Sequence, residues 1–142
     1  NFLVEGNIKM RMSQLEFYQA KLNYEMDSWD LFEALNQGQN IVVVDGRSTT
    51  AYAHEHIPNA INIPHRGITA ESLAHLDLSL LYVTYCDGIG CNASTKTALK
   101  MATLGFQVKE LIGGLDWWKR DGYQTAGENA QAGTSLDCGC AG

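Results

Sequence analysis

The residues best suited to covalent chemistry lie around Cys86. A pattern typical of a buried strand, residues 80–85, runs directly into Cys86, and a glycine-rich loop follows before a helical pattern begins at Ser94. Backbone N–H groups in such a loop can point inward, and the start of a helix carries partial positive charge, so both stabilise an anion. A cysteine in that position has a lowered pKa and is a strong nucleophile. We therefore predict a reactive thiolate at Cys86, the alternative being a buried structural cysteine.

The elements that position this cysteine alternate between strand and helix patterns. Strands are predicted over residues 41–44, 60–63, 80–85 and 107–112. Helices are predicted after the capping residues Ser13 and Asp27, and over residues 70–78, 94–104 and 115–120. This alternation implies right-handed βαβ crossovers and an α/β sheet. Ligands of such sheets bind beyond the carboxyl ends of the strands, which is where Asp45 and Cys86 fall.

Composition excludes several classes of function. The chain has 142 residues, of which 45% are hydrophobic, and this is the profile of a single domain with a core of its own. The net charge of −6 argues against nucleic acid and anionic membrane surfaces as partners. The apolar runs are far shorter than the roughly 20 residues that span a bilayer. The chain begins at Asn1 rather than at methionine, which leaves open whether residues precede it.

The number and spacing of the cysteines indicate the cellular compartment of the protein. The four cysteines are too few and too clustered for the disulfide framework of a small secreted domain. A reducing, cytoplasmic location is therefore expected.

Two motifs on either side of the cysteine loop identify a family. The first runs from Val42 to Arg47 with Tyr52, and continues from His56 to Ile63. The second comprises Gly105, Phe106, Val108, Leu111, Ile112, Gly113, Gly114, Trp118 and Gly122. With Tyr85 and Cys86 between them, these motifs resemble the rhodanese-like family over residues 24–123.

The resemblance implies a fold and an activity. The fold is α/β, with a central parallel five-stranded sheet flanked by helices. The activity is sulfur transfer without a cofactor: a cysteine accepts a sulfane sulfur from a small donor, becomes a persulfide, and passes the sulfur to a thiol, a protein acceptor or another nucleophile. The resemblance makes Cys86 the catalytic residue and Asp45, Arg47 and His56 structural supports. The residues predicted to bind substrate are Asp87, Gly88, Ile89, Gly90, Cys91, Asn92, Ala93, Ser94 and Lys96.

The loop departs from the usual family pattern. It is longer, and it lacks the basic residue that commonly stands just before the helix. Asp87 adds a negative charge that opposes thiolate formation, so thiosulfate as the donor is in doubt. Lys96, in the first turn of the predicted helix, either replaces the missing cation or is a solvated surface lysine.

The remaining cysteines leave alternatives open. Cys91 is either a resolving thiol or second sulfur acceptor, or a small residue that fills the loop and points away from Cys86. Cys138 and Cys140 lie in residues 124–142, predicted as a flexible tail, and residues 1–23 are predicted as a helical extension. These two cysteines form a sulfur-carrying arm, or zinc ligands together with the loop cysteines, or incidental thiols. Their spacing differs from that of structural zinc sites, so no metal is predicted.

Three functions follow, of which the first is favoured. The chain is a single-domain sulfurtransferase that uses a persulfide on Cys86. Alternatively, it is a noncatalytic interaction or redox-sensor domain in which Cys86 and Cys91 form a disulfide. Phosphatase or arsenate reductase chemistry ranks last, because Asn92 and Ala93 stand where an arginine would grip the oxyanion.

Overall fold

A five-stranded sheet forms the centre of residues 12–136, the part of the chain that the computed structural model describes. The strands are β1 (Glu25–Met26), β2 (Ile41–Asp45), β3 (Ile61–Asn62), β4 (Leu81–Tyr85) and β5 (Gln107–Leu111). Their order is β1-β5-β4-β2-β3, and every neighbouring pair is parallel. The predicted fold class is therefore confirmed. β1 was not predicted, because two residues between helices are too few to show a strand period.

Within residues 12–136, five α-helices connect or precede these strands: α1 (Gln14–Tyr24), α2 (Ser28–Asn36), α3 (Thr49–His54), α4 (Ala93–Thr103) and α5 (Gly114–Arg120). A single turn of 3-10 helix covers His65–Gly67. The first two α-helices begin where capping was predicted, since Ser13 with Glu16 and Asp27 with Asp30 both form capping boxes. None of the helices in residues 12–136 has the length and apolar character needed to cross a membrane.

The prediction of a helix over residues 70–78 is wrong, because the structure has turns there. Thr69 and Ser72 use their hydroxyls to accept from each other's backbone N–H groups, at 2.9 and 3.0 Å. Such local bonds offer the backbone an alternative to the helical ladder.

The sheet separates two hydrophobic cores, because successive strand residues point to opposite faces. Val43 belongs to the core that contains Leu31 of α2 and Trp118 of α5. The next residue, Val44, belongs to the core that contains Met101 of α4. Helices thus cover both faces of the sheet.

Residues 124–136 differ from the flexible tail predicted for residues 124–142. His56 and Ala126 exchange backbone hydrogen bonds of 2.9 and 2.8 Å, and the Gln124 N–H donates to the Thr134 carbonyl at 2.9 Å. Thr125 is 2% exposed. The prediction is wrong for this segment, because its backbone finds partners on the domain without any periodic apolar pattern. Cys138 and Cys140 lie outside the described residues, and the boundaries at residues 23 and 123 stay predictions.

Candidate functional site

The carboxyl ends of β2 and β4 meet beside Cys86. Asp45 and Tyr85 are paired in register at these ends, and both are fully buried. The Tyr85 hydroxyl donates to Asp45 Oδ2 at 2.7 Å and accepts from the Ile57 N–H at 3.0 Å. Burial, and then the charge of Asp45, raise the pKa of Tyr85. The tyrosine therefore stays protonated and fixes the strand end that leads into Cys86.

Arg47 links this buried end of β2 to the cysteine loop. Its Nε and Nη2 atoms donate to the Asp45 carboxylate at 2.7 to 3.2 Å, and Nη2 also donates to the Glu55 carbonyl. Its Nη1 atom donates to Asp87 Oδ1 at 3.0 Å. Burial alone would lower the pKa of Arg47, but hydrogen bonding to Asp45 and the charge of Asp45 outweigh it and raise that pKa. The guanidinium is thus a permanent charge beside the loop.

The base of the loop is held by the start of α5. The N–H groups of Leu115 and Asp116 donate to the carbonyls of Cys86 and Asp87, at 2.9 and 2.8 Å. Gly114 permits this approach: its φ is +58°, and a Cβ there would overlap the Cys86 carbonyl oxygen and lie 2.9 Å from Gly88 N. Leu115 and Asp116 are not among the residues that the sequence pattern predicts as loop contacts. The adjacent glycines before the helix were the only signal of this close packing.

The tip of the loop turns Cys91 back towards Cys86. The Cys91 N–H donates to the Gly88 carbonyl at 3.3 Å, and Gly90, the third residue of this turn, has φ +92°. Glycine adopts that conformation without steric cost. The two sulfurs are joined as a disulfide, with the Cα atoms 6.2 Å apart. The interpretation of Cys91 as a loop filler that points away from Cys86 is therefore wrong.

Exposure differs sharply along this loop. Cys86 is 2% exposed, whereas Ile89 at the tip is 84% exposed. Cys91 is intermediate between them. Within residues 12–136, no loop N–H donates to the Cys86 sulfur, which is bonded to Cys91. The cradle of amides around a thiolate thus stays a prediction about the reduced protein.

Three side chains at this site have metal-ligand chemistry. The sulfurs of Cys86 and Cys91 and a carboxylate oxygen of Asp87 all lie within 4.8 Å of one another. In the structure the sulfurs are bonded to each other, and Asp87 is paired with Arg47. This arrangement favours dithiol and disulfide chemistry over a resident cation, since a guanidinium adjoins the one carboxylate.

The side chains of Ser94 and Thr95, at the start of α4, are hydrogen bonded to Glu110. Asn92 is the residue before the helix, and Ala93 is its first residue. The Ser94 hydroxyl, predicted to bind substrate, donates to Glu110 Oε2 at 2.9 Å. Lys96 is exposed, and no hydrogen bond or ion pair joins its side chain to the loop within the described residues. Among the described residues, the basic side chain that forms an ion pair with the loop is that of Arg47, two residues after the end of β2.

Positive charge gathers instead around His65. Burial, followed by the charges of Lys100, Lys96 and Arg66, lowers the pKa of His65. Lys96 is thus one of the cations whose charge acts on His65.

His56 lies beyond the loop, on the side of the residue 124–136 segment. Its Nδ1 atom is 2.7 Å from the Tyr52 carbonyl oxygen, and its ring stacks on the Tyr52 ring with centroids 4.0 Å apart. These contacts place His56 in the packing next to β3.

Comparisons with known proteins agree on the fold. The model of the rhodanese-like domain family matches residues 28–121. The BH2092 protein of Bacillus halodurans is 42% identical, with a TM-score of 0.76, over 80% of this chain and 84% of that chain. The rhodanese-like domain of the Alr3790 protein from Anabaena sp. is 27% identical, with a TM-score of 0.65, over 74% of this chain and 80% of that chain.

A further structural likeness concerns the fold alone. Thiosulfate sulfurtransferase from Pseudomonas aeruginosa is 24% identical, with a TM-score of 0.64, over 73% of this chain and 20% of that chain. No curated protein matches the sequence.

Proposed function

The chain belongs to the rhodanese-like domain family, and from that premise we propose that it is a sulfurtransferase. Cys86 accepts a sulfane sulfur, holds it as a persulfide, and gives it to a thiol or another nucleophile. The observation that carries the proposal is the position of Cys86, at the carboxyl end of a central strand and at the start of a loop leading into α4. Thiolate chemistry in α/β sheets is favoured at such an end.

The charges around the loop indicate the class of donor. No Lys or Arg stands among residues 86–93, and the Arg47 guanidinium is already shared between Asp45 and Asp87. A doubly charged donor such as thiosulfate therefore finds no unpaired cation in the loop. We expect organic persulfides to be better donors than thiosulfate. The proposal includes a cytoplasmic location, since thiol acceptors persist under reducing conditions.

Peptide mass spectrometry tests the persulfide directly. The reduced Cys91→Ser variant, which cannot form the loop disulfide, is incubated with glutathione persulfide and with thiosulfate in parallel. We expect Cys86 to gain the mass of one sulfur atom, more from the persulfide than from thiosulfate. The matched control adds Cys86→Ser to the Cys91→Ser variant; its loop peptide has no thiol and should gain nothing. Absence of the adduct on Cys86 with every donor would refute the proposal.

The Cys86–Cys91 disulfide supports a second candidate, a noncatalytic redox-sensor domain. A sensor would change its binding to a partner when the disulfide forms, without turning over sulfur. Redox titration with sulfur turnover measured on the same samples separates the two functions. Phosphatase chemistry remains disfavoured, because the side chain that would grip an oxyanion is replaced by Asn92 and Ala93. Hydrolysis of an aryl phosphate that is lost in Cys86→Ser would reverse this ranking.

A further inference from the structure

The disulfide between Cys86 and Cys91 joins two cysteines that differ in solvent exposure. Cys86 is 2% exposed at the end of β4, whereas Cys91 is partly exposed on the far side of the Gly88–Cys91 turn. An external nucleophile must enter the loop to reach the Cys86 sulfur. The Cys91 sulfur is already bonded to it, with the two Cα atoms 6.2 Å apart. Cys91 is therefore the thiol best placed to attack at Cys86.

We propose that Cys91 discharges the Cys86 persulfide and that the released product is hydrogen sulfide. This inference rests on the proposed function, because it requires the persulfide to form. The Cys91 thiolate attacks the inner sulfur of the persulfide, which is Sγ of Cys86. The Cys91–Cys86 S–S bond forms, the bond to the outer sulfur breaks, and that sulfur leaves as HS⁻. The sulfane sulfur is reduced to sulfide while the two cysteines are oxidised to the disulfide.

The cycle then needs a reductant of the dithiol class. A dithiol attacks the loop disulfide, restores both cysteine thiols, and leaves as its own disulfide, so the two electrons delivered to sulfide are replaced. The more accessible sulfur of the pair is Cys91. The reductant therefore forms its mixed disulfide with Cys91 and expels the Cys86 thiolate, since thiol–disulfide exchange depends on access.

The loop is built so that ring closure requires little rearrangement. Its base is fixed by the N–H groups of Leu115 and Asp116, and its tip is a tight turn with Gly90 at positive φ. Attack of Cys91 on the Cys86 persulfide needs only a local movement of this turn, because both cysteines lie in one short segment. Transfer of the outer sulfur to Cys91 is the competing outcome, and it would leave the sulfane sulfur on the protein.

A single-turnover experiment distinguishes these outcomes. The full chain carries Cys138→Ser and Cys140→Ser, so that the only thiols are those of the loop, and it is compared with the same chain carrying Cys91→Ser or Cys91→Ala. Each reduced protein is loaded with glutathione persulfide, and excess donor is removed rapidly. Sulfide release and the masses of the loop peptides are then followed without added thiol. Two substitutions at Cys91 guard against loss of folding in either one, which circular dichroism monitors.

We expect the protein with both loop cysteines to release one equivalent of sulfide and to end as the Cys86–Cys91 disulfide. Both Cys91 variants should keep the sulfur on Cys86 and release sulfide at least about tenfold more slowly. Equal rates, or migration of the sulfur to Cys91 without sulfide release, would overturn the inference and leave the proposed function intact. Failure of every protein to gain sulfur would overturn the proposed function, and this inference with it.

Discussion

Arg47 and Asp87 are hydrogen bonded, Nη1 to Oδ1 at 3.0 Å, although 40 positions separate them in the chain. The arginine is 9% exposed, and its Nε and Nη2 atoms donate to Asp45 and the Glu55 carbonyl. The Asp87 side chain is 72% exposed. A buried cation two residues beyond the end of β2 thus holds the first residue after Cys86, and carboxylates balance its charge on both sides.

Replacement of Asp87 by Asn should lower the pKa of the Cys86 thiol in the reduced protein. The substitution removes a negative charge next to the sulfur and leaves the Arg47 guanidinium unbalanced towards the loop, and both effects favour the thiolate. We expect a downward shift of up to about one unit in the midpoint of the alkylation-rate profile with pH. Stability should change by less than about 1 kcal/mol, because the pair is exposed on the Asp87 side.

Iodoacetamide labelling of the Cys91→Ser protein, read at the Cys86 peptide, measures this shift. Asp116→Asn is the matched control, since this carboxylate is also exposed near the loop but pairs with Arg120. An unchanged profile in Asp87→Asn, or an upward shift, would contradict the electrostatic account and leave Asp87 with a purely positional role.

Gly114→Ala should destabilise the protein and disorganise the base of the loop. Its φ of +58° is unfavourable for alanine, and the added Cβ would overlap the Cys86 carbonyl oxygen. Gly38→Ala is the matched control: it has φ +73° but nothing within 4 Å of the added carbon. We expect about 1 kcal/mol of lost unfolding free energy for Gly38→Ala and at least about 3 kcal/mol for Gly114→Ala.

Urea unfolding gives both free energies, and persulfide loading gives the effect on the site. Loading should fall in Gly114→Ala and persist in Gly38→Ala, because Gly114 packs on the backbone of the loop whereas Gly38 follows α2. Equal destabilisation by the two substitutions would mean that backbone conformation alone, and not contact with Cys86, makes Gly114 necessary.

Glu55→Gln should weaken the fold at neutral pH and have less effect in acid. Burial would raise the pKa of Glu55, but hydrogen bonds from Lys119 and Thr125 outweigh it, so the pKa lies below the usual 4.5. A carboxylate with a lowered folded-state pKa stabilises the fold above its unfolded pKa and loses this contribution as pH falls through the folded value. The stability difference between wild type and variant should therefore be full above pH 4.5 and decline below it.

Chemical unfolding at a series of pH values measures that difference. Glu71→Gln is the control, at an exposed side chain with no ion pair among residues 12–136. A difference that grows in acid would show that Glu55 is not held in its charged form. The result also reports on residues 124–136, since Thr125 Oγ1 donates to Glu55 Oε2 at 2.6 Å.

The elements that position the cysteine could be predicted from the sequence because their signals are local. A capping aspartate at Asp27 marks the start of α2, and the apolar run at residues 41–44 marks a strand covered on both faces. The contacts of the loop could not be predicted, because they depend on residues distant in the chain. Arg47 reaches Asp87, and the start of α5 meets Cys86, only once the parallel sheet has brought their strand ends together.

The prediction of a flexible tail after Tyr123 failed for a related reason. Its sequence is small and polar and shows no period, and those features are typical of disorder. Its order comes from backbone pairing with His56 and from a buried threonine, and neither contact can be recognised from the amino-acid composition of the segment.

The covalent ring closed by Cys86 and Cys91 is small, since only five positions separate them. In the chain-entropy description, a ring of this size restrains the unfolded chain by about 2 kcal/mol. The residues between the two cysteines belong to neither hydrophobic core. This bond can therefore form and break while both hydrophobic cores stay packed, so a change of redox state at the loop does not require the domain to unfold.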